Sequence, residues 1–512
     1  MDRKWWTLIA VCTGVFMLLL DITIVNVALP KIESAFKASL SDLQWVVDAY
    51  ALTLAALLLT AGSVADLAGR RVVFATGVVV FTLGSTLCGI APSVLFLSIS
   101  RGLQGIGGAI MFATALALLA QAFPPRERGV AFGVFGGITG VAVAIGPVLG
   151  GAITTALTWR WIFFVNVPIG VAALVITLRR VEESKLADAP RPDVPGFLTF
   201  SLGLAGLVYG LIRSQTVGWG SAQVLVPILG AAVLLLTFVL IERRSRHPML
   251  DLRLLRVPTF NGGLVAAFAI SASIFSLLTY LTIYFQDLLG YSAVGAGLRF
   301  LPLTGAVFIV AAIAGRLTTR VPIRLLIGVG FAFLVASLLL MRGLTPTENW
   351  THFLPGFLLG GIGSGLINVP LASTAVGVVS AERAGMASGI NSTLRQVGIA
   401  TGVAALGTIL TGRIRSAVVA QLAGTPLAVH AHALGDAVAA GGLTRVAATL
   451  PGHSRGLLYG AAKASYVDAL NSIFLVAAGV AAVGMVVGFA AIRQRDFHAA
   501  SEGAAPEPAF AG

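Results

Sequence analysis

Apolar residues run along this chain in long unbroken windows rather than in the broken rhythm of a half-buried soluble helix. Windows of about 20 residues, enough to cross a bilayer core as helix, lie near 6–30, 44–64, 72–91, 94–122, 129–156, 161–178, 196–212, 224–242, 259–285, 296–318, 323–343, 353–378, 386–412 and 467–492. Fourteen such windows predict an all-α polytopic membrane protein whose two ends share one side. The longest gap, 413–466, is expected to form an outer loop.

Polar residues that interrupt these windows are few, and an ionised side chain at a helix centre costs roughly 2.5–3.5 kcal/mol on insertion scales. The first window reads "MLLLDITIVNVALP", with Asp21 and Asn26 inside it. Asp48 follows in "QWVVDAYAL", a short way into the second window, where an interfacial, hydrogen-bonded acid is the simpler alternative. The fourth window, "SISRGLQGIGGAIMF", buries Arg101 and Gln104. An arginine does not lose its proton at any working pH, so Arg101 requires a carboxylate or carbonyl partner. In the second half the polar candidates for a cavity are Asn368, Asn391, Arg395 and Gln396.

A repeat is visible at a shift of 256 residues. Gly105, Gly107, Gly129, Gly133 and Gly146 fall on Gly361, Gly363, Gly385, Gly389 and Gly402. "GSVADLAGRR", Gly62 to Arg71, has a degenerate echo in "GRLTTRVPIR", Gly315 to Arg324. The register pairs two six-helix halves and leaves the seventh and eighth windows as an insert.

Composition agrees with the windows: of 512 residues 57% are hydrophobic and 11% charged, with a mean hydropathy of +0.94. A soluble domain averages about 25% charged residues. The net charge of +13 therefore reads as a topology signal between spans, and nucleic-acid binding is excluded. With the N-terminus in the cytoplasm, inside segments hold 21 Lys and Arg against 10 outside, half of the latter in the long loop. Both ends are expected to be cytoplasmic. The run after Arg3 and Lys4 is too long for a signal peptide and is expected to remain as the first helix. Cys12 and Cys88 offer no disulfide framework and no metal site, and His430 and His432 read as solvated loop residues.

Three glycine-containing motifs carry further information. In "GSVADLAGRR" the glycines Gly62 and Gly69 permit a tight turn. Asp66 can face the positive N-terminus of the following helix, and Arg70 and Arg71 hold the turn on the cytoplasmic side. "GIGG" mimics a dinucleotide-binding loop, but the strand and downstream acid that such a loop needs are absent, and close helix packing explains the glycines. "GPVLGG" sets Gly146, Gly150 and Gly151 around Pro147, predicting close packing with a kink.

With "LDITIVNVALP", "LQWVVDAYALTLAALLLTAGSVADLAGRR", "RGLQGIGGA", "GPVLGG", "WRWIFFVNVPIG", "GYSAVGAGLRFLP" and "STLRQVGIATGVAALG" in place, nearly the whole chain resembles the major facilitator superfamily. Within it the likeness is to the fourteen-helix drug:proton antiporters, and the first half is most similar to antibiotic-resistance exporters of the methylenomycin type. The resemblance implies two six-helix bundles plus two inserted helices around a central cavity, alternating access, and export driven by inward proton flow without a cofactor. It places Asp21 on the family's helix 1 acid, Arg101 on the helix 4 arginine linked to proton coupling, and Gly62, Asp66, Gly69, Arg70 and Arg71 on the cytoplasmic gate motif. "GPVLGG" is similar to the motif associated with antiporters. Leu67 stands where the gate motif often has a basic residue, and Thr319 falls where the second copy would carry its acid, so gating is expected to rest on the first copy.

The expected organisation is a six-helix bundle over 1–180, a linker and two extra helices over 181–258, a second bundle over 259–492 and a tail over 493–512. Desolvation disfavours the charged form of a buried carboxylate, and a nearby guanidinium or water restores it. An acid wetted alternately from two sides can therefore load a proton on one and release it on the other. Asp21 is the first candidate and Asp48 the second. The expected partners are the bilayer, protons and a small amphiphilic substrate, for a monomeric multi-pass protein of a bacterial cell membrane. An exporter of an endogenous lipid, siderophore or metabolite is the alternative on the same scaffold. A membrane sensor or enzyme would need an appended soluble domain or a clustered nucleophile and base, and neither is seen.

Overall fold

The computed structural model describes residues 2–38, 40–184, 193–245, 248–318, 320–380, 383–439, 443–448 and 450–497. Every apolar window is helical, and most helices end within a few residues of the expected positions; the last two run well beyond them. The helices are α1 (Arg3–Phe36), α2 (Leu40–Ala68), α3 (Arg70–Gly89), α4 (Val94–Ala122), α5 (Pro125–Ala156), α6 (Trp161–Arg180), α7 (Val194–Val217), α8 (Ala222–Arg244), α9 (Pro258–Leu288), α10 (Leu301–Leu317), α11 (Ile323–Leu340), α12 (Leu354–Val376), α13 (Ala384–Leu422) and α14 (Gly452–Ala491). No strand occurs among the described residues. In a medium without water only a helix or a closed barrel satisfies its own backbone. Among the described residues, twelve helices are long and apolar enough to cross a membrane, and α10 is a shorter apolar helix.

Helix starts follow local chemistry. Pro195, Pro258, Pro302 and Pro355 occupy the first turns of α7, α9, α10 and α12, where a missing N–H costs nothing. Ser93 and Asp193 accept from the backbone N–H groups of Phe96 and Gly196 as N-caps of α4 and α7.

Glycine decides how closely these helices pack. The residues that coincide at a shift of 256 occupy equivalent crossings. Gly105 lies against Tyr50 and Thr53 of α2, and Gly361 against Leu303 of α10; Gly107 abuts α3, and Gly363 abuts α11. A methyl group on Gly129 would stand 2.1 Å from the carbonyl oxygen of Gly315, and one on Gly62 would stand 2.2 Å from that of Gly385. The α5/α10 and α2/α13 contacts are thus backbone against backbone, and both join the two halves at one end of the bundle.

That end also carries both described chain ends. Arg3 pairs with Glu182 at 2.5 Å and Lys4 with Glu127 at 2.6 Å, while Thr259 accepts from the backbone N–H of Arg493. The inserted α7 and α8 pack along the junction of the halves at this side. Phe200, Leu204 and Val208 of α7 share a buried cluster with Leu59 of α2, Phe260 of α9 and Met386 and Ile390 of α13. Only 17% of the most apolar stretch of α8 is buried, against 78% for α4, so α8 lies at the periphery and α4 at the centre.

The stretch expected as a long outer loop, 413–466, is largely helical. α13 continues to Leu422 and α14 begins at Gly452, and two short helices, Ala431–Ala439 and Leu443–Ala448, lie between them. At 39 and 40 residues these helices are about 58–60 Å long, twice the bilayer core. Hydropathy is diluted there by Arg413, Arg415 and alanine, which hid the helix from a hydrophobic window. Val418, Leu422, Leu434, Val438, Leu443 and Leu458 bury one another in a small cap, and Arg415 pairs with Asp436 across it. His430 and His432 are exposed on this cap.

A side chain at either backbone crossing should separate the halves. Gly62→Val and Gly129→Val are each expected to destabilise the folded protein by about 1–3 kcal/mol, the usual cost of overpacking. Gly230→Val, which has open space around it, should be neutral. Thermal unfolding in detergent, followed by tryptophan fluorescence, measures the difference.

Candidate functional site

Arg101 reaches the centre of the first bundle from α4, 1% exposed, and Asp21 of α1 is fully buried beside it. The guanidinium donates through Nη1 to Asp21 Oδ2 and, at 2.8 Å, to Gln104 Oε1; Nε donates to the backbone carbonyl of Val46 at 3.1 Å. Its Cζ lies 4.2 Å from the centre of the Tyr50 ring. The other carboxylate oxygen of Asp21 accepts from Gln104 Nε2 at 2.8 Å and Asn166 Nδ2 at 3.0 Å. Asn166 also donates to Ser85 Oγ at 3.0 Å, which donates to the carbonyl of Phe163 at 2.9 Å.

The result is a closed polar network of side chains from α1, α3, α4 and α6, plus the backbone of α2, inside apolar packing. Small residues make the approach possible: a methyl group on Gly84 would lie 2.8 Å from the backbone of Gln104. Two buried atoms in the network, Tyr50 Oη and Asn166 Oδ1, have no hydrogen-bond partner among the described residues, leaving spare capacity for a rearranged pattern. A water could serve them, since such a site offers several polar partners.

"GPVLGG" lies one turn along α1 from Asp21. A methyl group on Gly146 would stand 1.8 Å from Thr23 Oγ1, and Gly150 meets Ile24 and Val27. Its repeat partner Gly402 meets Ser276 and Ala272 of α9 in the same way. Gly151 faces Val294 across the halves. The side chains of Pro147 and Asn26 lie outside the described residues.

Asp48 is not part of this network. It is half-buried on α2, on which Trp45 also lies against Tyr209 of the inserted α7 in a tilted ring contact, centroids 6.0 Å apart. In the second half, Arg395 Nη1 donates to Asn368 Oδ1 at 2.8 Å, and Asn368 Nδ2 returns to the carbonyl of Ser364 at 2.9 Å. Asn391 is buried with a carbonyl oxygen that has no hydrogen-bond partner among the described residues, and Gln396 is half-buried on α13. Arg299 stands over the Tyr291 ring at 3.3 Å, away from these groups.

At the other end of α2, Asp66 reaches further than its sequence-based reading: it meets the first side chain of the following helix, Arg70, and also the opposite half. Its carboxylate accepts from Arg70 Nη2 at 2.8 Å and from the backbone N–H groups of Gly385 and Met386 at 2.9 and 2.8 Å. Asp66 thus caps α13, in the opposite half. The N-terminus of α3 is taken by Glu183, which accepts from the N–H groups of Arg71 and Val72 at 3.0 and 3.2 Å. Gly69 has φ of +107° and faces Glu183 at a distance that no Cβ would permit, so the turn gives the first backbone N–H groups of α3 to Glu183 while the Arg70 side chain stays with Asp66.

A strap following α8 reinforces the junction: Ser63 Oγ donates to the carbonyl of Met249 at 3.2 Å, and Arg383 pairs with Asp251. Thr319 lies outside the described residues. Asn166, Glu183 and the strap were missed by sequence reading. Asn166 carried one usable signal, a lone carboxamide inside "WIFFVNVPIG".

The family model described as "Major Facilitator Superfamily" matches residues 11–403. The chain belongs to the major facilitator superfamily. Among its curated relatives, the multidrug resistance protein Stp of Mycobacterium tuberculosis is 38% identical over 434 residues, covering 84% of this chain and 81% of Stp. The tetracenomycin C resistance and export protein of Streptomyces glaucescens is 34% identical over 490 residues, 95% and 91% of the two chains. The crystal structure of the human organic anion transporter MFSD10 covers 94% of this chain and 100% of its own with a TM-score of 0.56 at 14% identity, a likeness of fold. A superfamily transporter is not an enzyme, and its chemistry is binding and movement.

The Asp66 cap generates a test. A neutral amide at this position keeps the shape but turns part of the acceptor into a donor facing backbone N–H groups. Asp66→Asn should loosen this end, and a Ser388→Cys reporter, now buried on α13, should react with a maleimide at least tenfold faster, roughly 1.4 kcal/mol of lost closure. Unchanged labelling would separate Asp66 from closure.

Proposed function

We propose that this chain is a proton-driven exporter of small amphiphilic drugs or antibiotics in a bacterial cell membrane, working by alternating access between two six-helix halves. Fourteen crossings, with both ends cytoplasmic, fit the charge pattern. The printed names of the relatives support the cargo class, since resistance and export recur in them. The observation that carries the coupling is the buried Asp21–Arg101 network.

The logic is electrostatic. Arg101 stays charged, so only Asp21 can change the net charge of the network. A proton on Asp21 weakens its bond to Arg101 Nη1, while Gln104 Oε1 and the Val46 carbonyl continue to accept from the guanidinium. That fallback makes the protonated state affordable, because a buried charge stripped of all partners costs about 3–5 kcal/mol. Asp21 shares α1 with Thr23 and Ile24, against which Gly146 and Gly150 of α5 pack. A change in the pairing of Asp21 is therefore felt at the α1/α5 contact. The gate residues Gly62, Asp66, Gly69, Arg70 and Arg71 hold the cytoplasmic end shut in this state, and the Asn368–Arg395 pair with Asn391 and Gln396 offers the second half's contacts to cargo.

Efflux from vesicles should collapse with a protonophore and survive ATP depletion while the gradient is held, since a potential supplies about 2.3 kcal/mol per charge per 100 mV. Asp21→Asn is expected to abolish gradient-driven efflux with insertion intact. Wild-type coupling in that variant would transfer the role to Asp48. Arg101→Lys should also be damaging, because an ammonium cannot serve Asp21, Gln104 and Val46 in the geometry of the planar fork.

Substrate charge follows from where acids are missing. Helices α10 to α13 contain no Asp or Glu, and the acids nearest that half's bundle are Asp287, by the outer end of α9, and Asp468 of α14. A dication in the cavity would therefore meet the carboxylates of Asp21 and Asp48 on one side and basic or neutral groups on the other. An unpaired buried charge costs several kcal/mol, or orders of magnitude in affinity. Neutral, zwitterionic, anionic and singly cationic amphiphiles are expected to be preferred. Resistance assays with matched mono- and bis-quaternary compounds measure this, and equal protection against both series would overturn it.

A further inference from the structure

A groove of about 380 Å³ opens at the foot of α8, between its last turns and the short helix Leu252–Arg256, lined by Val239, Arg243, Leu252, Arg253, Leu255 and Arg256. It lies on the end of the bundle that carries both described chain ends. The three arginines are exposed, and none makes a side-chain ion pair or hydrogen bond among the described residues. The nearest acids on these elements are not available to them: Asp251 is paired with Arg383, and Glu242 is buried. Three unneutralised guanidinium groups around one concave space form a site for an oxyanion bearing several acceptor oxygens.

The sequence of α8 says what kind of molecule brings that oxyanion. Val226, Leu229, Val233, Leu236 and Leu240 are all 47–68% exposed. Their spacing of three and four residues puts them on one helical stripe, and the next step along it is Arg243. An apolar stripe of this exposure faces acyl chains in a membrane protein. It leads straight down to the arginine-lined groove, whose own floor is apolar at Val239, Leu252 and Leu255. A free phosphate would use only the arginines, whereas a phospholipid uses the stripe as well.

We propose that this groove is a binding site for an anionic phospholipid of the leaflet on the side of both described chain ends, its phosphate held by Arg243, Arg253 and Arg256 and its acyl chains lying along α8. The inference depends on membrane embedding alone and is independent of proton coupling or cargo. The site adjoins the gate, since Asp251 is the N-cap of the helix that supplies Arg253 and Arg256 and is also the partner of Arg383 at the start of α13.

The test uses the full chain in nanodiscs of phosphatidylcholine containing a minor fraction of phosphatidylglycerol, extracted gently and weighed by native mass spectrometry. Wild-type protein should retain phosphatidylglycerol over phosphatidylcholine by a factor on the order of a hundred, which is about 3 kcal/mol for three arginines. The triple variant Arg243→Gln, Arg253→Gln, Arg256→Gln should lose that preference. A triple Lys variant, which keeps the charge, should recover most of it, and so separates binding from misfolding. The matched control Arg179→Gln, Arg320→Gln, Arg324→Gln removes the same charge from the same end and should behave as wild type. Equal retention by the groove variant, or equal loss in the control, would overturn the site. Displacement of the signal by excess inorganic phosphate would show a free-anion site and overturn the lipid assignment, and failure of either kind leaves the transport tests untouched.

Discussion

A guanidinium that cannot release its proton, held at 1% exposure in the middle of a bundle, organises the first half of this protein. Arg101 takes a carboxylate from α1, a carbonyl and a ring from α2, and a carboxamide from its own helix; the carboxylate draws in Asn166 of α6, which draws in Ser85 of α3. Five helices are positioned by the needs of one charge. Removing one partner of such a pair costs about 3–5 kcal/mol, while well-packed apolar replacements would often be neutral. Stability alone therefore gives little reason to bury this pair. A network whose net charge can be changed at one atom group gives a better one.

α2 connects that network to the other half. It is one 29-residue helix without an internal proline. Val46 and Tyr50 touch Arg101 near one end, and Asp66 caps α13 near the other, 20 residues and about 30 Å along the axis. Gly62 and Gly389 bring α2 and α13 into backbone contact along the last turns. A rigid element with one end in a buried ionic network and the other in an interhelical cap is a physical means of coupling, because both sites bias the position of the same rod. The inserted α7 packs on this rod as well, through Thr60 to Ser201 at 2.8 Å and Trp45 against Tyr209, so the insert is mechanically part of the junction and not an appendage.

Much of this was legible in the sequence because the bilayer imposes long apolar windows and because glycine at helix crossings must recur in register when a bundle is duplicated. Asp21, Arg101 and Gln104 were recognisable as isolated polar residues in hydrocarbon, and their meeting follows from the cost of leaving any of them alone. What escaped reading was pairwise geometry. Nothing in "GSVADLAGRR" says that the left-handed turn at Gly69 gives the first backbone N–H groups of α3 to Glu183, or that Asp66 also caps α13. Glu183 lies 112 residues from Arg71 and Gly385 lies 319 residues from Asp66, distances over which local pattern carries no information. The helical extensions beyond the bilayer were hidden for a different reason. Helix there is held by a small cap of leucines and valines among alanine and arginine, which lowers hydropathy without lowering helix propensity.

The two halves repeat in backbone and differ in charge, and the difference has a direction. In the first half Arg101 is matched by the carboxylate of Asp21; in the second, Arg395 is matched by the neutral carboxamide of Asn368 on helices that contain no acid. The Arg395 pair thus has no acid of its own helices to neutralise it, while the acids nearest that half's bundle, Asp287 and Asp468, lie on α9 and α14. Duplicated packing allows the halves to rock as similar bodies, because Gly146 against α1 and Gly402 against α9 are the same joint. Unequal charge then decides what the motion responds to. A cargo bearing its own positive charge competes with Arg101 for Asp21 while being repelled by Arg395. An anion has the reverse relation, drawn to Arg395 and indifferent to whether Asp21 carries a proton. For a neutral cargo under the coupling proposed above, only shape and the state of Asp21 matter, which makes the proton the one charge whose position distinguishes the two ends of the proposed cycle.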